Sequence, residues 1–298
     1  MQRQIGWIGL GAMGEPMARR LVDGEGLHGV FNRSPRRSAS FEALGVRVYD
    51  APRRLATACD VVFVMVSDDA ALSAVLFERD GVVAGLRPRA TVVNMSTVSV
   101  AATLEAREAV ELAGGRFIDA PVSGTVGPAR QGTLVVLAGG EDAVLEDVAA
   151  LLETFGSVVR LGEAGMGTRA KLFINQLLGA MMQTFAEALV FGSAVGLPLE
   201  TMLEIVDGGA LAAPLFRAKG EMIGRRDFDK HFPVDLLLKD LDLAQAEARG
   251  AGVYLPTLAA VREAVAGAHA RGYGDQDMAA VVRLIEDVSG IEVRARSR

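Results

Sequence analysis

The chain has 298 residues, enough for one large domain or two of moderate size. Half of its residues are hydrophobic, so it can bury a sizeable core and is not expected to be disordered. The formal net charge is −6 and the basic residues are scattered, which argues against a nucleic-acid-binding surface.

The N-terminal sequence and the rare residue types favour a cytoplasmic protein. The apolar run IGWIGLGAMGEPMA contains four glycines and a glutamate, so it is not expected to be a signal peptide. No run reaches the roughly 18 uninterrupted apolar residues of a membrane-spanning helix. Cys59 is predicted to be a core residue. Because it is the only cysteine, the chain cannot form an intramolecular disulfide. The three histidines are far apart in sequence, so no metal site is expected.

The first half of the chain alternates short β-rich runs with amphipathic helical stretches. Early predicted helices are EPMARRLVDG, with Gly24 near its end, and SPRRSASFEALG, with Ser34 as N-cap and Pro35 in the first turn. Apolar strands that alternate with helices predict a doubly wound parallel sheet, covered on both faces. The predicted strands are QIGWIGL, GVFNR, VRVY, VVFVMV, ATVVNMS, RFIDAPV and LVVLAGG.

After SVVRLG the pattern changes. Gly162, Gly165 and Gly167 suggest a linker, and only helical runs follow. These runs are predicted at roughly 168–195, 199–208, 211–222, 234–251, 256–271 and 276–288. The sequence therefore predicts an α/β domain over 1–162 and an all-α domain over 163–298. The second domain opens with a long, nearly all-apolar interdomain helix, which is expected to be buried.

The motif GLGAMG indicates a dinucleotide-binding Rossmann domain. Gly9 permits a tight turn, Gly11 lets the backbone approach a pyrophosphate, and Gly14 lets helix and strand pack closely. Ala12 and Met13 lie between the second and third glycines, where helix N–H groups face the phosphates. The strand before the motif and the helix after it give the pattern its specificity.

The end of the second predicted strand indicates which dinucleotide binds. NAD sites usually have an acidic residue there, whereas this chain has Asn32, Arg33 and Ser34, followed by Arg36 and Arg37. A guanidinium can grip a 2′-phosphate that a carboxylate would repel. We therefore expect NADP(H) to be preferred over NAD(H). A solvated basic helix start is the alternative interpretation.

Two further polar runs follow apolar strands. Val66 and Ser67 begin one run, and Asn94, Ser96 and Thr97 belong to the other. Both runs are expected at the carboxyl edge of the sheet, where ligands bind. These five residues are therefore predicted to contact the cofactor.

Two stretches carry candidate substrate chemistry. In DAPVSGTVGPARQGTL, the residues Ser123, Gly124 and Thr125 could present backbone N–H groups and hydroxyls to a small carboxylate, although an ordinary loop has a similar composition. In AKLFINQLL, Lys171 and Asn175 are four residues apart and share one helix face. The alternative is a lysine that extends from a core helix to water.

These blocks together resemble the β-hydroxyacid dehydrogenase family, which includes 3-hydroxyisobutyrate dehydrogenases, tartronate semialdehyde reductases and glyoxylate/succinic semialdehyde reductases. The resemblance covers residues 5 to about 245 in family order. It implies a Rossmann domain, an α-helical second domain and a homodimer or homotetramer. The matching blocks are GWIGLGAMGEPMA, FNRS, DAPVSGTVGPARQGTL, GMGTRAKLFINQLL and LLLKDLDLA.

The resemblance implies a role for each matched residue. Ser123, Gly124 and Thr125 would bind the substrate carboxylate, Lys171 would be the catalytic acid/base, and Asn175 its partner on the substrate.

Three further positions in the second domain complete the predicted site. Lys239, with Asp240 beside it, would lie near the nicotinamide and the substrate. Phe232 is a candidate for sensing which acid is bound. Two positions depart from the family pattern, because Ile174 replaces the first of two asparagines and Val100 replaces a proline.

The sequence thus predicts hydride transfer between NADP(H) and a small carboxylate-bearing semialdehyde or hydroxyacid. Glyoxylate and succinic, methylmalonate and tartronate semialdehydes stay open as substrates. An imine reductase is a weaker alternative, because those enzymes generally lack the lysine at this position. A non-catalytic NADP-binding module would have no need for Lys171, Asn175 and the Ser123–Thr125 loop together. Phosphogluconate dehydrogenases would need a basic cluster, and only Arg130 is near that loop.

Overall fold

The computed structural model describes residues 3–295. By its internal contacts the chain forms two compact units, Met1–Leu172 and Phe173–Arg298. The helix Met166–Ala194 contains the point of division. The domain boundary predicted after residue 162 stays a prediction.

The first unit is built on one sheet with the strand order β3-β2-β1-β4-β5-β6-β8-β7, and β9 pairs with β8. Strands β1 to β6 are parallel, and the order 3-2-1-4-5-6 is that of a doubly wound dinucleotide-binding sheet. The α/β prediction for this part of the chain is confirmed. The strands are β1 Ile5–Ile8, β2 Gly29–Phe31, β3 Arg47–Val48, β4 Val61–Val64, β5 Thr91–Asn94, β6 Arg116–Asp119, β7 Val122–Ser123, β8 Leu134–Gly140 and β9 Gly156–Arg160.

The far edge of the sheet departs from the predicted parallel arrangement. Strand β8 is antiparallel to both β6 and β7. Only a short helix, Val126–Gln131, connects β7 to β8. A parallel crossover needs about a dozen residues or more, so the chain reverses direction here instead.

Helices cover both faces of the sheet, as the alternating pattern predicts. Adjacent residues of a strand point to opposite faces, so Trp7 and Ile8 belong to two different hydrophobic clusters. The helices are α1 Gly14–Asp23, α2 Pro35–Glu42, α3 Pro52–Ala58, α4 Asp69–Phe77, α5 Val82–Gly85, α6 Val100–Leu112, α7 Val126–Gln131, α8 Asp142–Asp147 and α9 Ala149–Glu153.

The indole of Trp7 anchors one of these clusters. It stacks on Phe63 with ring centroids 5.5 Å apart and meets the edge of Phe155 at 5.8 Å. Its Nε1–H donates to the carbonyl of Gly9 at 2.8 Å. A fully buried tryptophan thus satisfies its one polar group by holding the turn after β1.

The helices of the second unit agree in position with the predicted helical runs, and the clearest differences are in α12 and in the last run. Helix α12 begins at Pro214 and not at 211, because a residue before proline is disfavoured in the α region and Ala213 is extended. The last run splits into a 3₁₀ turn, Met278–Ala280, and α15. The helices are α10 Met166–Ala194, α11 Leu199–Asp207, α12 Pro214–Arg225, α13 Val234–Gly250, α14 Pro256–Ala268 and α15 Val281–Ser289, with a π-helical turn at His269–Tyr273.

Helix α10 is less buried than its composition predicts. Phe173 and Phe191 are 65% and 69% exposed, and Leu177, on the same side of the helix, is also exposed. The expectation that this helix is buried on every side is therefore wrong for the single chain. A stripe of this kind is typical of a protein–protein contact.

By length and composition alone, α10 is also apolar enough to cross a membrane. Buried core helices of soluble proteins pass the same test, and 44% of its most apolar stretch is buried. The expectation that the chain has no membrane partner stays a prediction.

The thiol of Cys59 provides a test of the packing around the sheet. Cys59 is fully buried, as predicted, and burial raises the pKa of its thiol to about 12, with a further contribution from the Asp60 carboxylate. Since only the thiolate is reactive, we expect native protein near pH 8 to resist an aromatic disulfide reagent. Protein unfolded in urea should release one equivalent of thiolate chromophore. Rapid labelling of the native protein would contradict the packing.

Candidate active site

The turn after β1 has the geometry of a dinucleotide-binding loop. Gly9 has φ +97°, and a side chain there would lie 2.0 Å from the carbonyl oxygen of Met65. A side chain at Gly14 would lie 2.1 Å from the carbonyl oxygen of Gly9. At Gly11, in contrast, nothing lies within 4 Å of the Cβ position. The first and third glycines are required by packing, and the second leaves its backbone open to a ligand.

The residues fit a dinucleotide at this position. Helix α1 begins at Gly14 with Met13 as N-cap. The first N–H groups of a helix lack intrahelical partners, but in this first turn the N–H of Glu15 already donates to the carbonyl of Gly11 at 3.0 Å, and Pro16 has no N–H. Ala12 and Met13 precede that turn. The loop lies between the carboxyl ends of β1 and β4, where the strand order reverses and such folds bind nucleotides.

Asn32 holds the glycine loop in place. Its Oδ1 accepts from the backbone N–H of Leu10 at 2.8 Å, and its Nδ2 donates to the carbonyl of Ser34 at 2.9 Å. Arg37 donates to the carbonyl of Leu10 at 2.9 Å. Arg33 and Ser34 are exposed beside this network, and Ser34 is the N-cap of α2 without a side-chain capping bond. Their contact with a cofactor stays a prediction.

The ends of β4 and β5 are joined by side-chain hydrogen bonds. The hydroxyl of Ser96 accepts from the N–H of Val66 at 2.9 Å, and Oδ1 of Asn94 accepts from the N–H of Ser96 at 3.1 Å. Asn94 and Ser96 are buried, whereas Ser67 and Thr97 are partly exposed beside them. The buried pair therefore shapes this sheet edge, and cofactor contacts from all five residues stay predictions.

The predicted carboxylate loop depends on a glycine. Ser123 ends β7 and Thr125 precedes α7, with no capping bond from the threonine side chain. Between them, Gly124 has φ +139°, and a side chain there would lie 2.5 Å from Leu134. Only glycine adopts this conformation readily, so the turn between the two hydroxyl residues is fixed by the sequence.

A buried carboxylate connects this loop to helix α10. Oδ1 of Asp119 accepts from the N–H of Gly165 at 2.8 Å. Its Oδ2 accepts from the N–H and the hydroxyl of Thr168 at 2.7 and 3.0 Å. Burial raises the pKa of this carboxyl above its ordinary value, although these hydrogen bonds act in the opposite direction. Asp119 thus caps the start of α10 from a strand end four residues before Ser123.

Gly167, in the first turn of α10, is a packing residue, and the linker predicted around Gly162, Gly165 and Gly167 stays a prediction. A side chain on Gly167 would lie 2.2 Å from the carbonyl of Leu137 and 2.7 Å from that of Asp119. Gly165 gives its N–H to the Asp119 carboxylate. The first turn of α10 therefore lies directly on the strand ends. Lys171 follows Thr168 by three residues and is half-buried.

In the second unit, one acidic residue, Asp240, contacts two predicted site residues. Asn175, which is 2% exposed, donates from Nδ2 to Oδ2 of Asp240 at 2.5 Å. Nζ of Lys239 lies 3.1 Å from the other oxygen of Asp240. Phe232 is half-buried immediately before α13. Asp240 thus contacts two predicted site residues at once, a link between helices that sequence spacing did not indicate.

Metal ligands form no cluster in the described part of the chain. Among residues 3–295, no three His, Cys, Asp or Glu side chains are grouped so that they could hold a metal ion. The absence of a metal site stays a prediction.

Comparison with known proteins identifies relatives over almost the whole chain. Residues 4–164 match the model of the NAD binding domain of 6-phosphogluconate dehydrogenase. Residues 165–285 match the model described as NAD-binding of NADP-dependent 3-hydroxyisobutyrate dehydrogenase.

Individual relatives agree with these matches. Glyoxylate/succinic semialdehyde reductase 1 of Arabidopsis thaliana is 33% identical, over 95% of this chain and 98% of its own length. The 2-(hydroxymethyl)glutarate dehydrogenase of Eubacterium barkeri is 34% identical over 97% of each chain. The crystal structure of a 3-hydroxyisobutyrate dehydrogenase from Salmonella typhimurium has a TM-score of 0.86 at 28% identity, covering 95% of this chain and 99% of its own.

The imine reductase alternative is supported only at the level of the fold. A solved imine reductase from Pseudomonas sp. is 20% identical with a TM-score of 0.59, covering 96% of this chain and all of its own. Identity this low establishes a shared fold and no shared chemistry.

Replacing Asp119 by asparagine tests the connection between loop and helix. The asparagine amide keeps one acceptor oxygen, but its N–H₂ group then faces the N–H of Gly165 or of Thr168, and two donors cannot bond. We therefore expect a loss of about 1–3 kcal/mol in the free energy of unfolding. Because Lys171 would lose its fixed position, kcat should also fall. Urea titration and steady-state kinetics measure the two effects.

The matched control is Thr103→Val, which removes the buried contact between the hydroxyls of Thr103 and Thr168 at 3.0 Å but leaves the carboxylate and its donors. This variant should lose less stability and retain most of its kcat. A variant Asp119→Asn with unchanged stability and kcat would contradict the connecting role.

Proposed function

Because the chain belongs to the 3-hydroxyisobutyrate dehydrogenase family of NAD(P)-dependent oxidoreductases, we propose that it is an NADP(H)-preferring semialdehyde reductase. It transfers a hydride between the nicotinamide and a small semialdehyde or β-hydroxyacid. The observation that supports this proposal most directly is the capped start of α10, which holds Lys171 in the same compact unit as the Ser123–Thr125 loop.

The chain's own residues supply binding and proton transfer. When bound, the nicotinamide supplies the hydride to the carbonyl carbon. The carbonyl oxygen then becomes an alkoxide, and Nζ of Lys171 donates the proton that converts it to a hydroxyl. The neutral amine recovers a proton from solvent. The Ser123–Thr125 loop binds the substrate carboxylate through N–H groups and hydroxyls, and so orients the carbonyl.

Asn175 completes the catalytic pair with Lys171. The two residues are one turn apart in α10 and project from the same side of the helix. Because Nδ2 of Asn175 donates to the buried Asp240 carboxylate, the orientation of its amide is fixed. The amide oxygen and the second N–H therefore have defined directions in which to bind the substrate. Asp240 acts here through Asn175, in addition to the cofactor contact predicted for it.

Three observations support a preference for NADP(H). No acidic residue occupies the end of β2, where Asn32 lies instead. Arg33 and Ser34 are both exposed at the start of α2. The family model of the second part of the chain is described as NADP-dependent. An exposed guanidinium at this position binds a 2′-phosphate with charge-assisted hydrogen bonds.

The remaining features of the proposal concern the setting of the enzyme. We propose a cytoplasmic homodimer or homotetramer, and the exposed apolar side of α10 with Phe173 and Phe191 supports subunit contacts. The substrate is one of the four semialdehydes, with no nucleic acid or membrane as partner.

Oxidation of NADPH by a panel of semialdehydes tests the proposal. No turnover with any of them would favour a non-catalytic NADP-binding module.

Lys171→Met should abolish turnover while NADPH still binds. Removal of a general acid costs about 10²–10⁴-fold in rate, so kcat should fall by at least a hundredfold. Steady-state kinetics and NADPH fluorescence titration measure the two effects. The control is Arg169→Met, which replaces another basic residue by methionine at an exposed position on the same helix. A lysine variant that retains more than about a tenth of wild-type kcat would refute the assignment.

Arg33→Asp should reverse the choice of cofactor. Loss of the guanidinium and gain of a negative charge should raise KM for NADPH at least about tenfold, whereas KM for NADH should stay constant or fall. Parallel kinetics with both cofactors measure this ratio. Arg54→Asp, at an exposed position on α3, controls for the change in net charge. A tenfold preference for NADH in the wild-type enzyme would contradict the interpretation of Arg33.

A further inference from the structure

Lys219 and Asp277 form an ion pair in the interior of the second unit. Nζ of Lys219, on α12, lies 2.7 Å from Oδ1 of Asp277, which immediately precedes the 3₁₀ turn. The two residues are 4% and 0% exposed. Burial of two charges carries a large desolvation cost, so such a pair needs further hydrogen bonds to be tolerated.

Those hydrogen bonds go to the segment that carries Phe232. Oδ2 of Asp277 accepts from the N–H of Phe232 at 3.0 Å and from that of His231 at 3.3 Å. Oδ1 accepts from the N–H of Ala279 at 3.0 Å, in addition to Lys219. The carboxylate thus receives three backbone donors and one ammonium, and one of these donors belongs to a predicted substrate residue.

The backbone of Phe232 is held on both sides. Its N–H donates to Asp277, and its carbonyl accepts from the N–H of Met278 at 2.8 Å. Neighbouring backbone bonds join residues 228–235, here called the Phe232 segment, to residues 274–277. They are Asp277 N–H to Phe228 at 3.0 Å, Val234 N–H to Gln276 at 2.9 Å and Asp235 N–H to Gly274 at 3.0 Å.

Helix α13 begins within the Phe232 segment, at Val234. The same helix carries Lys239 and Asp240, so the buried pair also fixes the start of the helix that holds these residues. The ring of Phe232 is half-buried, and its backbone is held by these hydrogen bonds, so the residue has little freedom to move. In the proposed function, this ring limits how much of an acid can extend beyond the carboxylate and carbonyl groups.

We infer that Lys219 and Asp277 are positioning residues that set substrate size selectivity through Phe232. This inference rests on the proposed function, since it assigns Phe232 to the substrate side of the reaction. With the pair intact, the ring discriminates between a short aldehyde acid such as glyoxylate and a longer one such as succinic semialdehyde. Without the pair, the Phe232 segment shifts and that discrimination weakens.

The test is the ratio of kcat/KM for succinic semialdehyde to that for glyoxylate, measured with NADPH. A loss of folded enzyme lowers both values equally, so a purely structural defect leaves the ratio unchanged. Phe232→Ala, Lys219→Met and Asp277→Asn should each shift the ratio in the same direction, by at least about fivefold, within the range that pocket contacts give. KM for NADPH should stay within about twofold of wild type.

The control is Asp147→Asn, which breaks the partly buried pairs with Arg3 and Arg116 in the first unit. It should leave the ratio unchanged. Removal of one buried partner costs about 3–5 kcal/mol, so the single variants can fail to fold. The double variant Lys219→Met/Asp277→Asn leaves no unpaired buried charge and carries the same test.

A double-mutant cycle shows whether the pair acts through the ring. Combining Asp277→Asn with Phe232→Ala should shift the ratio no further than Phe232→Ala alone. An active wild type whose ratio is unchanged in the pair variants, or in Phe232→Ala, overturns this inference and leaves the proposed function intact. A wild type inactive with all four semialdehydes overturns both.

Discussion

The hydrogen bonds of the Asp119 carboxylate determine where the first unit can perform chemistry. They bind the end of β6 to the first turn of α10, so the loop that follows the strand and the lysine on the helix share one rigid support. Burial of this carboxylate is costly, and three donors from Gly165 and Thr168 offset that cost. Glycines at 139 and 167 allow the approach, because a side chain at either position would meet backbone atoms. The positions of Lys171 and of the Ser123–Thr125 loop depend on that contact, whereas the glycine loop is held separately by Asn32.

In the second unit, two further buried carboxylates hold predicted site residues through hydrogen bonds. Asp240 orients the amide of Asn175, and Asp277 fixes the backbone of Phe232. In each case a buried carboxylate accepts N–H groups from a segment that is distant in sequence. An apolar residue could fill the space but could not accept these hydrogen bonds, and so would not fix a direction. Buried acids in this protein therefore act mainly as supports for the residues predicted to touch ligands.

The sequence predicted the parts of this structure that depend on local patterns. Strands β1 to β6 and β8, the glycine loop and most helix positions follow from periodicity and from residues such as Gly9, Gly14 and Pro35, whose constraints act within a few positions. Strand β9 was not predicted, and the predicted strand RFIDAPV is divided into β6 and β7. The family resemblance supplied Lys171 and Asn175. The contacts of the buried carboxylates could not be predicted, because they join residues that are far apart in sequence. Asp119 contacts residues 46 and 49 positions away, and Lys219 contacts one 58 positions away. Composition also failed for α10, since it does not tell which side of an apolar helix meets solvent.

Trp7 is the only tryptophan in the chain, and it is fully buried between Phe63 and Phe155 in the first unit. Its emission therefore reports on the environment of the nucleotide loop, since its indole N–H is bonded to Gly9. Far-ultraviolet circular dichroism, in contrast, is dominated by helices, which make up most of the second unit. The tryptophan signal comes from the first unit alone, whereas the dichroism signal comes from the helices of both units. If the halves lose structure at different denaturant concentrations, the transitions will separate, and a single two-state fit will not describe this chain.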